Sequence, residues 1–238
     1  MFDLKDKIVI VTGAAGNLGQ AVARAFLAAQ SRLVLVDRRS DRLPSLFPDL
    51  ADSPDHILAV DVDVMDVDAV QAMVSSTLQR FGRIDVLANT VGGYLAGTRV
   101  HETSLESWDG SLDLNARTAF ILSKAVVPPM LEQESGRIIH VAARTGLEGS
   151  SRQLVHSVAK SAVIRLTETL SAELKRSGIN VNCVLPATID TPQNRADMPK
   201  AKFDRWVEPE AIADVMAFLA SDAARAITGA AIPVYGKG

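Results

Sequence analysis

The 238-residue chain is long enough to bury a full α/β core in one domain. Apolar residues make up 47% and charged residues 22%, and the formal net charge of -3 leaves no basic footprint for nucleic acid or an anionic membrane surface. The single cysteine, Cys183, rules out an internal disulfide and a cysteine-built metal cage, and fits a reducing, cytoplasmic setting.

The charged opening MFDLKDK is followed by IVIV, an apolar run too short for a secretion signal, and no stretch approaches a membrane span. KIVIV (7–11) reads as a buried strand, and Leu18 to Ala29 as a helix with Val22, Ala25, Phe26 and Ala29 on one face. RLVLV (32–36), HILAV (56–60), RIDVLA (83–88), RIIHVA (137–142) and INVNCVL (179–185) repeat the strand pattern. Helical patterns over 66–81, 105–131, 153–177 and 208–221 separate them. AAIPV (230–234) closes the series as an edge strand, the place where Pro233 is tolerated. Strands and helices that alternate in this way predict an α/β fold of Rossmann type: a doubly wound parallel sheet with helices on both faces. No linker divides the chain, so one domain spans 1–238.

The first strand runs into VTGAAGNLGQA, which puts Gly13, Gly16 and Gly19 at a strand–helix junction. Small residues there let backbone amides approach a pyrophosphate, whose charge the helix N-terminus favours. Three glycines alone are weak, since many strand–helix turns use glycine for geometry. Asp37 at the end of the next strand strengthens the reading: a carboxylate there accepts ribose hydroxyls and repels a 2′-phosphate, favouring NAD(H). Arg38 and Arg39 could pair with a phosphate and keep NADP(H) open.

TGAAGNLG (12–19), DV (61–62), NTVGG (89–93), LDLNA with Asn115, the helix with Lys160, and VNCVLPATIDT (181–191) fall in the order of a short-chain dehydrogenase/reductase, and the resemblance covers essentially the whole chain. It implies a dinucleotide-binding half over about 1–100 and a catalytic, substrate-side half over about 101–238. Thr12, Gly13, Gly16, Asn17, Leu18 and Gly19 would then form the phosphate loop, with Asn17 where the middle glycine is usual. Asp61 and Val62 would hold the adenine, and Asn89 would support the strand beside the cofactor. Pro186 and Ile189 would lie on the cofactor side, Ile189 offering backbone to the nicotinamide amide. Asp61 as a strand-end cap and Asn89 as a turn residue are the plainer readings, and both are compatible with these roles.

The family's catalytic set is an asparagine, a serine, a tyrosine and a lysine. Asn115 and Lys160 match it; His156 stands at the tyrosine position and Ala143 at the serine position. His156 and Lys160 are four apart on one helix face, so the ammonium disfavours an imidazolium, as does burial. A neutral ring donates one hydrogen bond and is a poor proton source. His101 and His140 show no ligand spacing, so no metal is expected.

The segments AARTGLEG (142–149), VGGYLAG (91–97) and PATIDTPQNRADMPKAKFDRW (186–206) are similar to the dihydropteridine reductase branch, which also lacks the serine. That similarity implies reduction of a small electrophilic substrate such as a dihydropterin, where no alkoxide develops and an oxyanion donor contributes less. Tyr94 could stack on a flat ring or supply a proton, and a loop aromatic is the plainer alternative. Thr191 and Pro192 read as the N-cap and first residue of a helix in a substrate lid that covers Asn194 to Trp206. The alternative from another class is a nucleotide-binding pseudoenzyme acting as sensor or partner subunit. Family analogy implies a homodimer or homotetramer through 105–131 and 153–177, although both helices also fit packing on their own sheet.

Overall fold

The computed structural model describes residues 2–39, 42–59 and 61–237. In chain order the elements are β1 (Ile8–Thr12), α1 (Asn17–Ala28), β2 (Arg32–Val36), α2 (Arg42–Leu46), α3 (Pro48–Ala51), β3 (Ile57–Ala59), α4 (Val67–Phe81) and β4 (Val86–Asn89). There follow α5 (Leu105–Leu112), α6 (Thr118–Glu132), β5 (Gly136–Val141), α7 (Leu154–Leu174), β6 (Ile179–Pro186), α8 (Pro192–Asp197), α9 (Pro209–Ala220) and β7 (Ala231–Val234).

Seven strands form one sheet in the order β3-β2-β1-β4-β5-β6-β7, and every pairing is parallel. Alternate residues of each strand face opposite layers. Val9, Val11, Leu33, Leu35, Val86, Ala88, Ile139 and Val184 pack with α1 and α9. Ile10, Val34, Leu87, Ile138 and Val181 pack with Val70 and Val74 of α4 and Leu122, Val126 and Met130 of α6. α7 closes the far side, where Val163 and Ile164 meet Cys183 and Leu185. Strand order reverses between β1 and β4, and the crevice above the carboxyl ends of those strands is where such sheets bind ligands.

The strand expected at 83–88 is seen as Val86–Asn89; just before it, Asp85 N–H donates to Ile8 O and Asp85 O accepts Arg137 N–H, both at 2.9 Å, while Arg83 chelates the Asp85 carboxylate, which also accepts the N–H of Ile8 at 2.9 Å. The strand expected at 56–60 is seen as Ile57–Ala59, and Val60 lies outside the described residues. The helix expected at 153–177 ends at Leu174, followed by a 3-10 turn over Lys175–Ser177. The helix expected at 105–131 is interrupted by a π-turn over Asp113–Arg117. Asn115 Nδ2 takes Ser111 O at 2.9 Å, the carbonyl its own N–H would use in an α-helix, and Thr118 N–H reaches back to Asp113 O. The ladder therefore slips by one residue at Asn115. No helix is long and apolar enough to cross a membrane among the described residues.

Candidate active site

The glycine loop turns at Gly13, which has φ +66°. A Cβ at Gly19 would overlap Gly13 O, so only glycine lets α1 start this close to β1. The first turn of α1 carries no acidic residue and no side-chain cap, which leaves its N–H groups to face the crevice. Gly16, Asn17 and Leu18 line that crevice with Gly13 and Gly19. These features fit the phosphates of a dinucleotide. Asp37 lies at the outer end, where its carboxylate accepts Ala15 N–H at 3.3 Å and Arg39 N–H at 3.1 Å. Val62 N–H donates to Asp37 O at 3.2 Å, which brings Asp61 and Val62 to the same rim. Asp61 sits at φ 59°, a left-handed conformation that aspartate tolerates better than most residues. Arg38 is exposed. Arg42, which the sequence reading passed over, holds the loop by donating to Ala15 O at 2.7 Å.

Thr12 and Asn89 do not reach the crevice; they lie buried beneath it. Thr12 Oγ1 donates to Asn89 Oδ1 at 2.7 Å, and Val91 N–H donates to the same oxygen at 3.1 Å. Asn89 Nδ2 lies 3.3 Å from His140 Nδ1, whose ring reaches Ser123 Oγ through Nε2 at 3.1 Å. Because the amide N–H can only donate, Nδ1 accepts and Nε2–H donates to Ser123, whose hydroxyl donates on to Ala119 O. His140 is fully buried and neutral; desolvation, then the Lys160 ammonium, push its pKa down to about 4. The sequence placed His140 in a strand, and the structure makes it the middle of a polar chain across β1, β4, β5 and α6.

A cleft of about 740 Å³ joins the glycine loop to the far site. Ala143, His156, Lys160, Pro186, Ile189, Tyr94 and Asn194 line it. Lys160 Nζ donates to Val141 O at 2.8 Å, and burial lowers its pKa to about 8. His156 is held near pKa 4 by burial first and by the Lys160 charge second. Its Nδ1 lies 3.2 Å from Gly93 O, and Tyr94 stands edge-on to its ring with centroids 4.9 Å apart. Asn115 sits behind the cleft, 2% exposed, and grips the Gly93 peptide: Oδ1 accepts Gly93 N–H at 3.1 Å and Nδ2 donates to Gly93 O at 3.2 Å. Gly93 belongs to NTVGG, a motif that gives no sign of this role, and a Cβ there would press on the end of the Leu114 side chain at 2.6 Å.

Asn194 spends its amide N–H on Ile189 O at 2.8 Å and accepts the N-cap geometry of Thr191, whose Oγ1 takes Asn194 N–H at 3.1 Å. Trp206, at the end of the lid segment, is a packing residue rather than a substrate contact. It packs on Phe203 at 4.8 Å and is not among the cleft-lining residues. Two polar atoms that the sequence reading missed, Thr145 Oγ1 and Gln153 Oε1, are buried in the cleft wall without a hydrogen-bond partner. Among the described residues no cluster of ligating side chains could hold a metal.

A family profile described as short chain dehydrogenase matches residues 7–202. The chain is 36% identical to a 3-oxoacyl-[acyl-carrier-protein] reductase of Synechocystis, over 99% of this chain and 98% of that protein. It is 35% identical to a meso-2,3-butanediol dehydrogenase of Serratia marcescens, over 97% of this chain and 94% of that one. The solved structure titled gox2181 superimposes with a TM-score of 0.90 at 30% identity, covering 97% of this chain and 95% of that chain.

Proposed function

The chain belongs to the short-chain dehydrogenase family, and on that premise we propose that this NAD(P)-dependent oxidoreductase prefers NAD(H) and acts on a small substrate held beside His156. The observation that carries the reading is the single cleft running from the glycine loop to His156 and Lys160. Bound there, the dinucleotide would supply or take a hydride. The chain's own part is to seat the phosphates on the first turn of α1, to meet the ribose with Lys160, and to present His156 to the substrate. Asp37 supports the preference for NAD(H), since a carboxylate at the end of the second strand accepts ribose hydroxyls and repels a 2′-phosphate. The lone cysteine, Cys183, supports a reducing, cytoplasmic setting.

Ala143 favours a second reading of the substrate. With no hydroxyl at that position, a quinonoid dihydropterin is a better fit than a simple ketone, and the exposed Tyr94 ring is available to stack on it. Hydride-transfer assays with both cofactors against a quinonoid dihydropterin and matched alcohols and ketones test both readings. NADH should bind more tightly than NADPH, and Asp37→Ala should narrow the gap. Equal or tighter NADPH binding to the unmodified chain would overturn the preference. A chain that binds NADH, turns nothing over, and gains turnover with His156→Tyr would replace the enzyme reading with that of a nucleotide sensor.

A further inference from the structure

We infer that His156 faces the cleft as a hydrogen-bond acceptor, so that the site holds its substrate as a donor: the O–H of an alcohol, or the N–H of a reduced ring, in preference to the ketone or oxidised ring. The inference rests on the oxidoreductase reading above and names the substrate form that this site recognises.

Gly93 O can only accept, so the Nδ1 atom 3.2 Å away must carry the proton. A neutral imidazole has one N–H, and Nε2 is therefore left with its lone pair. The tautomer is enforced from behind. Asn115 fixes both the N–H and the carbonyl of Gly93. Burial and the neighbouring Lys160 charge keep the ring from gaining a second proton at neutral pH. The rest of the reacting end agrees. Ala143 offers no hydroxyl where the family has a donor, and the unpartnered Gln153 amide in the same cleft can serve a substrate of either kind. Thr145 Oγ1 can give or take a bond, and an alcohol oxygen satisfies it either way. A ketone oxygen set against Nε2 would meet lone pair with lone pair. Asn115 acts here as a positioning residue.

The test reads the ring directly. In protein labelled with 15N-histidine at pH 7.5, and with His156 assigned by its loss in His156→Gln, Nδ1 should resonate as protonated and Nε2 as unprotonated. Asn115→Ala should shift the balance toward the other tautomer. Matched pairs are then titrated with the dinucleotide present: meso-2,3-butanediol against its hydroxyketone, and a tetrahydropterin against its quinonoid dihydro form. The donor member of one pair should perturb Nε2 and bind at least about tenfold more tightly, which corresponds to about 1.4 kcal/mol; which pair responds separates alcohol from ring N–H. In His156→Gln, whose amide both donates and accepts, that preference should shrink. An Nε2–H tautomer, an imidazolium at pH 7.5, or Nε2 perturbed by the acceptor members or by none of the four overturns the inference. Absence of all turnover in parallel assays counts against the oxidoreductase reading instead.

Discussion

His140 shows how one buried side chain sets a pH limit on the whole fold. Unfolded, the ring takes a proton near pH 6.5; folded, it resists until about pH 4. Between those values the unfolded state binds more protons, so stability is full above about 6.5 and falls as pH drops toward 4. The loss amounts to on the order of 3 kcal/mol, and His156, held neutral in the same way, adds to it in the same direction. Denaturant melts at a series of pH values should show this acid slope, and His140→Asn should flatten it even if the variant is less stable overall. An unchanged slope would mean that other groups carry the acid sensitivity. The sequence did reveal His156, because its register with Lys160 is local. His140 stayed hidden because its partners Asn89 and Ser123 are far away along the chain, and only strand pairing gathers them.

At the scale of elements, the starts of the longer helices were legible from their periodicity. The expected start at residue 66 is the N-cap of α4: Asp66 accepts the N–H groups of Asp68 and Ala69 at 2.9 and 3.2 Å. Asp66→Ala should cost about 1 kcal/mol in chemical denaturation, and a change within error would mean that water replaces the cap. The strands were legible as well, since fully buried parallel strands read as continuous β-branched runs. The short helices α2 and α3 were not, because helices of 5 and 4 residues leave no periodicity to detect. The π-turn was hidden for another reason. It exists because Asn115 bonds both to its own helix and to Gly93, and the second bond is tertiary.

At the scale of the molecule, the α5–α6 face leaves Leu114, Phe120 and Leu131 exposed, from 41% to 52%. Apolar groups of this size along one helical stretch favour a covered surface, which supports the proposal of a homodimer through these helices and α7. Sedimentation should report a mass above 25.4 kDa that falls on dilution, and Phe120→Asp should yield the monomer. A monomer at every concentration would overturn the proposal. The buried chain Thr12–Asn89–His140–Ser123 also sews β1, β4 and β5 together under the crevice, and parting them would strand four polar side chains away from water. These bonds resist any opening of the sheet at its middle. The cleft wall beside a bound dinucleotide is built from the segments 90–94 and 186–198. Hydrogen exchange should slow in those two segments when NADH binds and stay unchanged along β1 and β4.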